Sequence, residues 1–273
     1  MSGLQYTMSF RLSVLSFLAT ALLWPHLSQA ATAPERLMQA TFKVFNTDST
    51  ATGFLVCDTA PDAARTNVLL VTAGHAFLKA KGDHVLLVCR VKNSQDAWER
   101  YDHKVLIRQG TNDLWTCHPS QDVAVIRCDL PPHAAFEAVP LSSLAEEKTA
   151  VAGGLTVGSK LFYFGYPYRT EANEAGFPIF REGSASGYPL FPAARYPTFC
   201  FSAATFAGDS GAPVALAGAG ASDPLVIGLV TTRTQQNDKL KSDEWDVTFK
   251  RDMDLGSILH AAFIRETITL LDK

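Results

Sequence analysis

The 273-residue chain carries little charge and few cysteines. Charged residues make up 19% of it, and 24 basic against 27 acidic side chains leave a formal charge of −3. Nucleic-acid-binding proteins normally cluster Lys and Arg to neutralise phosphates, so this balance argues against a nucleic-acid partner. Five cysteines are too few for a disulfide scaffold, and their odd number leaves at least one thiol unable to pair within the chain. With 47% apolar residues, the composition is that of an ordinary globular protein.

Several signatures of other protein classes are missing as well. The sequence has no internal repeat and no low-complexity tract. It has no His/Glu or Cys/His spacing typical of zinc sites and no glycine-rich loop typical of nucleotide sites, so we expect neither a metal nor an organic cofactor. The Gly-x-Ser-x-Gly elbow of α/β-hydrolases is also absent, because Ala212 occupies what would be its last position.

The sequence has one long hydrophobic run, from Leu12 to Trp24. Arg11 is the only charged residue before position 31, and the polar stretch after the run ends in Ala30 with a serine two residues earlier. This pattern is typical of a secretory signal, whereas a run of 13 residues is shorter than the ~20 that a membrane anchor needs. We therefore expect residues 1–30 to be a signal peptide and the mature protein to be exported to the periplasm or the medium, with no membrane span.

From about residue 41, short apolar runs alternate with turn residues, which predicts β-strands without helices between them. Strands at this spacing are typical of an all-β sandwich or barrel. The segment 131–154, rich in Pro, Ala, Glu and Gly, separates two series of strands as a predicted linker. The predicted strands are 41–45, 53–57, 67–73, 85–91, 105–108 and 122–128, followed by 160–165, 177–181, 198–202, 213–216, 225–231 and 245–250.

Apolar residues near the C-terminus recur at helical spacing. Ser257 is suited to cap a helix, so we expect a terminal helix that starts there and packs back on the body of the protein. The predicted domains are then a signal peptide at 1–30, an N-terminal β-domain at 31–140, and a C-terminal β-domain with the helix at 141–273. The residues predicted to share the buried face of the helix are Ile258, Leu259, Ala262, Phe263, Thr267 and Leu270.

Three short motifs follow one another along the chain. His75 ends the sequence TAGH, Asp122 opens DVAV, and Ser210 lies within GDSGAP. Taken singly, each has an ordinary explanation as a structural histidine, a turn aspartate or a turn serine. The order His, Asp, Ser is informative because the same catalytic triad arises on different folds with different chain orders. Together the three motifs predict a Ser-His-Asp triad.

With His75, Asp122 and Ser210 in this order, the chain resembles the secreted serine proteases of the trypsin and chymotrypsin superfamily, and the bacterial members in particular. The resemblance spans most of residues 40–265 and implies two antiparallel six-stranded β-barrels, with the site between them and the terminal helix after them. Besides the three motifs, it rests on TGFLV at 52–56, GSKLFYFGYP at 158–167, GSASG at 183–187 and VIGLVT at 226–231.

The resemblance also implies a chemistry. A serine hydroxyl is a poor nucleophile at neutral pH and needs an adjacent base, for which His75 is the candidate. Asp122 would fix the histidine tautomer and stabilise the imidazolium. The backbone N–H groups of Gly208 and Ser210 would form the oxyanion hole. The sequence therefore predicts a serine endopeptidase that cleaves protein or peptide substrates through an acyl-enzyme intermediate.

By the same resemblance, the base of the primary substrate pocket lies near Ala204 and its wall comes from Thr231, Thr232 and Arg233. Ala204 supplies no negative charge, which disfavours a preference for Lys or Arg. Small or medium apolar side chains fit best. For Arg233 two interpretations stay open, namely that it attracts an acidic side chain or that it points to solvent.

The chain departs from the animal digestive members of the family. Those carry an Ile-Val-Gly-Gly start that is released by cleavage and pairs with the acidic residue before the serine, and nothing like it occurs at 31–53. Asp209 therefore needs another partner, and no trypsin-style zymogen step is expected.

The cysteines that flank the histidine and the serine in the family are missing too. Among the pairings that five cysteines allow, Cys57 with Cys89 and Cys117 with Cys128 are plausible strand neighbours, which leaves Cys200 free.

Two other functions remain open on this fold. One is a binding protein that kept the triad but lost turnover through a collapsed oxyanion hole or a blocked pocket. The intact triad argues against it, because inactive relatives usually replace the histidine or the serine. The other is an esterase-like hydrolase. The sequence carries no signal for a particular oligomeric state.

Overall fold

The computed structural model describes residues 31–57, 68–219, 223–242 and 245–271. The predicted signal peptide lies outside these residues. From Ala31 to Lys273 the chain clusters as one unit, and the structure described below is that of this unit.

The first half of this unit is built from short strands. Nine of them form one sheet in the order β10-β4-β1-β2-β3-β9-β8, with β5 paired to β4 and β11 paired in parallel to β2, while β6 and β7 form a small hairpin of their own. The strands are β1 (Thr41–Phe45), β2 (Thr50–Cys57), β3 (Val68–Thr72), β4 (His84–Lys92), β5 (Trp98–Leu106), β6 (Arg108–Gln109), β7 (Asn112–Asp113), β8 (Thr116–Cys117), β9 (Ala124–Arg127), β10 (Ala134–Ala135) and β11 (Val139–Pro140).

The second half is a closed antiparallel barrel of six strands, in the order β12-β13-β14-β17-β16-β15. Beyond the barrel, β16 and β17 continue as an exposed two-stranded ribbon that pairs from Gln235 and Asp252 out to Lys241 and Asp246. The strands are β12 (Lys160–Gly165), β13 (Ile179–Ala185), β14 (Thr198–Ser202), β15 (Pro213–Leu216), β16 (Val226–Lys241) and β17 (Asp246–His260).

The all-β, chymotrypsin-like fold class is confirmed, and the second half forms the predicted six-stranded barrel. The first half differs from the prediction, because its strands form a nine-stranded sheet rather than a closed six-stranded barrel. Six of the nine are at least four residues long, and three are only two residues long. A two-residue strand is too short to leave an alternating pattern in the sequence, so these additions could not be predicted.

Four α-helices accompany the strands in the described residues, α1 (Ala33–Ala40), α2 (Gly74–Leu78), α3 (Glu147–Ala152) and α4 (Ala261–Leu271). The sequence analysis did not predict α1, although Thr32 and Glu35 form a reciprocal capping box at its start. The predicted linker at 131–154 is not a bare connection, since it holds β10, β11 and α3. No helix in the described ranges is long and apolar enough to cross a membrane.

The terminal helix begins later than predicted. It starts at Ala261, because Ser257, Ile258 and Leu259 belong to β17 and pair with β14 on one side and β16 on the other. A short apolar run fits a strand and a helix equally well, and here the strand pairing decides. The prediction that Ser257 caps the helix is therefore wrong. The buried residues of the helix are Ala261, Phe263, Ile264, Thr267 and Ile268.

One hydrophobic cluster joins the two halves. Phe54 and Val71 of the first sheet pack in it with Phe162 and Leu229 of the barrel, and all four are buried. Ile264 of α4 belongs to the same cluster. The terminal helix thus packs back on the body as expected, and the shared core fixes one sheet against the other.

The expected disulfide pairings, Cys57 with Cys89 and Cys117 with Cys128, do not fit the order and register of the strands. Cys57 on β2 and Cys89 on β4 are not neighbours, because β1 lies between these two strands. Cys117 lies opposite Ala124, and the four further residues to Cys128 span about 13 Å along a strand. A disulfide requires Cα atoms within about 4.4–6.8 Å of each other. Spacing along the chain could not reveal this order of strands.

Candidate active site

His75 and Asp122 are brought together by the pairing of β3 with β9. His75 lies in the first turn of α2, which follows the end of β3 at Thr72. Thr72 is paired with Ala124 at the start of β9, and Asp122 lies two residues before Ala124. The register of two strands therefore sets the histidine beside the aspartate.

Two hydrogen bonds join these residues. His75 Nδ1 lies 2.7 Å from Asp122 Oδ2, and the backbone N–H of His75 donates to Asp122 Oδ1 at 2.9 Å. Gly74 makes this approach possible, since a Cβ there would lie 3.2 Å from Asp122 Oδ1 and 3.0 Å from the sulfur of Cys117. Both oxygens of the carboxylate are thus engaged by one residue.

The electrostatics of this pair define the histidine tautomer. Burial acts to raise the pKa of Asp122, but the hydrogen bonds from the His75 side chain and backbone, with the attraction of the imidazole, hold that pKa below its ordinary value. The carboxylate is therefore ionised at neutral pH and can only accept hydrogen bonds. His75 Nδ1 must carry the proton, and in the neutral imidazole Nε2 is left as an acceptor.

Ser210 comes from the barrel, in the loop between β14 and β15. Its Oγ donates to the backbone carbonyl of Thr231 on β16 at 3.3 Å, and no hydrogen bond joins it to His75 in the described structure. Both side chains nevertheless line one cavity of about 510 Å³. Catalytic groups often complete their hydrogen bonds only in the complex with substrate.

Thr52 of β2 ties the first sheet to the loop that carries Ser210. Its N–H donates to the carbonyl of Ser210 at 2.9 Å, and its hydroxyl donates to the carbonyl of Gly208 at 2.7 Å. The carbonyl of Thr52 in turn accepts the hydroxyl of Thr72 at 2.7 Å. Thr52 is fully buried, so these bonds are shielded from water. Thr52 therefore connects the strand that leads to His75 with the loop that carries Ser210.

The backbone of the Ser210 loop leaves two N–H groups unused. Gly208 has φ +102°, and a Cβ at this position would clash with the carbonyl of Tyr166. The carbonyl of Ala207 accepts the N–H of Tyr168 at 2.6 Å, so the N–H of Gly208, at the other end of a trans peptide, points away from Tyr168. Within the described ranges, the N–H groups of Gly208 and Ser210 donate to no acceptor.

A second cavity, of about 330 Å³, opens beside Ser210 and contains three of the four predicted pocket residues. Ala204 is not among its lining residues. The carbonyl of Ala204 instead accepts the Tyr163 hydroxyl at 2.8 Å and a guanidinium N–H of Arg181. The lining includes Thr205, Phe206, Val230, Thr231, Thr232 and Arg233.

The charge of Arg233 is balanced by a neighbour. Its Nη1 lies 3.3 Å from Asp252 Oδ2 and 3.3 Å from the Tyr168 hydroxyl. A hydrogen bond from Gln235 holds the pKa of Asp252 below its ordinary value, so the carboxylate is ionised and faces the guanidinium. The arginine is neither a free cation in the pocket nor directed only to solvent.

Asp209 is fully buried beside Ser210. Its Oδ2 accepts the N–H of Phe206 at 2.8 Å and lies 3.4 Å from Arg181 Nη1, whereas its Oδ1 has no hydrogen-bond partner among the described residues. Burial raises the pKa of this carboxyl to about 6, against the pull of the Phe206 hydrogen bond and the charges of Arg181 and Arg233.

Sequence reasoning therefore missed two residues of this region. Arg181 on β13 is the partner that Asp209 was expected to need. No local motif indicates it, because the two residues come together only in the folded barrel. Thr52 was part of a recognised motif, but its two hydrogen bonds to the Ser210 loop are a tertiary feature that the motif does not encode.

The chain matches a known protein family, and a search of solved structures finds proteins of low identity. The family model for the trypsin-like peptidase domain matches residues 51–221, a segment that contains His75, Asp122 and Ser210. A crystal structure of Rv3671c from M. tuberculosis, a serine-to-alanine mutant in an inactive form, is 15% identical, with a TM-score of 0.47 over 91% of this chain and 93% of that one. A crystal structure of the Rv3671c protease in an inactive form is 17% identical, with a TM-score of 0.45 over 87% and 91%. No curated protein sequence gives a significant match.

The raised pKa of Asp209 predicts a pH-dependent stability. The folded pKa of about 6 exceeds the ordinary 3.8, so the folded state binds the proton more tightly than the unfolded chain. This contribution is present below about pH 4 and is lost as the pH rises through 6. The unfolding free energy of the wild type relative to Asp209→Asn should fall by about 2 kcal/mol from about pH 4 to about pH 7, as measured by urea unfolding. A difference that does not change with pH would contradict the raised pKa.

Proposed function

Because the chain belongs to the trypsin-like peptidase family, we propose that it is an exported serine endopeptidase in which His75, Asp122 and Ser210 form the catalytic triad. The observation that carries the proposal is the 2.7 Å contact between His75 Nδ1 and Asp122 Oδ2, at the edge of a cavity that Ser210 also lines. Export is inferred from the sequence of residues 1–30 alone.

The first half of the proposed reaction forms an acyl-enzyme. The Ser210 hydroxyl turns from the Thr231 carbonyl towards His75, whose Nε2 accepts its proton as Oγ attacks the substrate carbonyl carbon. Asp122 keeps Nδ1 protonated and stabilises the imidazolium that forms. Collapse of the tetrahedral intermediate breaks the peptide C–N bond, and the imidazolium returns the proton to the leaving amine.

The second half hydrolyses the ester. Water gives a proton to His75 Nε2 and attacks the acyl carbon, and a second tetrahedral intermediate releases the new carboxyl group and the Ser210 hydroxyl. In both halves negative charge develops on the carbonyl oxygen of the substrate. The N–H groups of Gly208 and Ser210, which have no acceptor in the described structure, are the proposed donors to this oxyanion, and each such donor contributes about 2.7–4 kcal/mol to transition-state stabilisation.

For the residue before the scissile bond we propose an apolar side chain of small or medium size. The cavity beside Ser210 is lined by Thr205, Thr231, Thr232, Val230 and Phe206, and the described residues that line it include no carboxylate for a basic side chain. Two basic residues, Lys79 and Arg233, also line this cavity, and the pairing of Arg233 with Asp252 weakens the attraction of that arginine for an acidic side chain.

A binding protein on the same fold is the second candidate. This candidate is supported by the contact of Ser210 Oγ with the Thr231 carbonyl rather than with His75. Against it, the cavity is open, and the N–H groups of Gly208 and Ser210 are not occupied by neighbouring carbonyls in the described residues. A reaction with an activated phosphorus centre separates the two candidates, because it requires a nucleophilic serine.

A fluorophosphonate probe should label the purified protein, and casein should be cleaved. Ser210→Ala should abolish both reactions because it removes the nucleophile. Ser202→Ala, which replaces an exposed serine on β14, should leave both unchanged. Failure of the unsubstituted protein to react with the probe would defeat the enzymatic proposal. Labelling without casein cleavage, together with hydrolysis of simple esters, would favour the esterase.

The pocket proposal is tested by sequencing the cut sites in a peptide library. We expect cleavage after small or medium apolar residues, and Arg233→Ala should leave this preference in place because Asp252 already balances the arginine. A clear preference for Lys or Arg would overturn the assignment of the pocket. Cleavage after Asp or Glu that disappears in Arg233→Ala would show that Arg233 selects an acidic side chain instead.

A further inference from the structure

The larger of the two cavities at Ser210 lies towards the leaving group of the proposed reaction. It has a volume of about 510 Å³ and shares Ser210 and His75 with the smaller cavity, which is the proposed pocket for the residue before the scissile bond. Because His75 returns its proton to the leaving amine, the second half of a substrate continues past this histidine. The wall of the larger cavity on that side comes from α2 and from the turn between β1 and β2.

More basic than acidic side chains line this larger cavity. Among the described residues, its lining includes three lysines and arginines and one carboxylate, that of Asp48. Asp48 is already paired, since its Oδ2 lies 3.0 Å from Lys81 Nζ. One of the three basic residues, Arg233, is balanced by Asp252 at 3.3 Å. The other two therefore supply the uncompensated positive charge of the cavity.

These two residues are Lys79 and Arg169. Lys79 lies one helical turn after His75, to whose carbonyl its N–H donates at 3.1 Å, and it lines both cavities, so it borders the place where they meet. Arg169 lines the larger cavity alone, and its Nη2 donates to the carbonyl of Thr47 in the turn between β1 and β2 at 3.4 Å. Neither residue forms an ion pair with a carboxylate in the described part of the chain.

The backbone of Arg169 is fixed from the first sheet. Its φ of +69° is uncommon for a residue other than glycine, and such conformations persist where the surrounding structure determines them. The carbonyl of Arg169 accepts a hydrogen bond from the buried ammonium group of Lys43 at 2.8 Å, and the same ammonium lies 2.6 Å from Glu171 Oε1. The contacts of Lys43 thus hold Arg169 at the rim of the cavity.

We propose that Lys79 and Arg169 select substrates with an acidic side chain in the first two residues after the scissile bond. Two cations without a carboxylate partner attract a carboxylate more strongly than a paired cation does. An extended residue spans at most about 3.6 Å, so these two substrate residues stay close to Ser210 and within the cavity. The inference rests on the proposed function and names a substrate feature of the same site.

Acyl transfer measures the leaving-group side separately from the pocket before the scissile bond. A peptide ester acylates Ser210, and an added peptide amide then competes with water for the acyl group. The amine nitrogen of the peptide attacks the acyl carbon, His75 accepts the amine proton, and the C–O bond to Ser210 breaks as the serine recovers its hydroxyl proton. The ratio of aminolysis to hydrolysis therefore reports how well the added peptide binds in the larger cavity.

We expect added peptides with Asp or Glu at their first or second residue to be favoured about 5- to 10-fold over the same peptides with Asn or Gln. The preference should decrease strongly in 1 M salt, where the Debye length is about 3 Å. Equal partition of acidic and neutral peptides on a wild type that is acylated normally would overturn the inference and leave the triad proposal standing.

Substitutions assign the preference to the two residues. Lys79→Met and Arg169→Met should each lower it about 2- to 5-fold, and the double variant should bring it close to one, whereas Lys79→Arg keeps the charge and should retain it. Lys148→Met, which replaces an exposed lysine on α3 that lines neither cavity, is the matched control and should behave as the wild type. Because the preference is a ratio measured on one enzyme, a change in overall rate cancels.

The remaining outcomes are also decisive. A preference that the double variant retains would overturn the assignment to Lys79 and Arg169. A series of ester substrates that shows selection of an acidic side chain before the scissile bond, lost in Lys79→Met, would place the lysine on the other side of the scissile bond and overturn the inference as well. A wild type that reacts neither with the ester nor with a fluorophosphonate would defeat the proposed function, and the inference with it.

Discussion

The proposed site depends on the contact of Thr52 with the loop of Ser210. His75 and Asp122 belong to the first sheet and Ser210 to the barrel, so neither half contains the whole constellation. Thr52 gives its N–H to Ser210 and its hydroxyl to Gly208, and it accepts the hydroxyl of Thr72 near the histidine. Because the junction is fully buried, its hydrogen bonds define one relative position of the two halves at the point where the chemistry is proposed.

A second constraint acts on the same loop from behind. Asp209 lies next to Ser210 without access to water, and its burial raises its pKa to about 6. The loop is therefore held between neutral hydrogen bonds to Thr52 on one side and the charge of Arg181 on the other. Contacts on both sides thus fix where the loop lies.

The sequence predicted what local motifs encode. The family and the all-β fold class are confirmed, and His75 and Asp122 meet as their motifs implied. Features that depend on which strands become neighbours were missed or wrong. The pairing of Cys57 with Cys89 failed because β1 separates β2 from β4. The terminal helix was placed too early because Ile258 and Leu259 fit the spacing of apolar residues in a helix as well as in a strand. In the ribbon, the strand at 245–250 was predicted, but the extension of β16 beyond Thr232 was missed, because these residues have no buried face and show no alternation. The contact of Arg181 with Asp209 forms only in the folded barrel, so no local sequence pattern predicts it.

The central claim is that His75 and Ser210 act as one unit across the junction of the two halves. A double-mutant cycle on kcat with His75→Ala and Ser210→Ala tests it most directly. If the two groups serve the same step, each substitution alone and both together lower kcat by about the same factor, on the order of 10⁶. Losses that multiply in the double variant would show that the two residues act independently, and would contradict the triad.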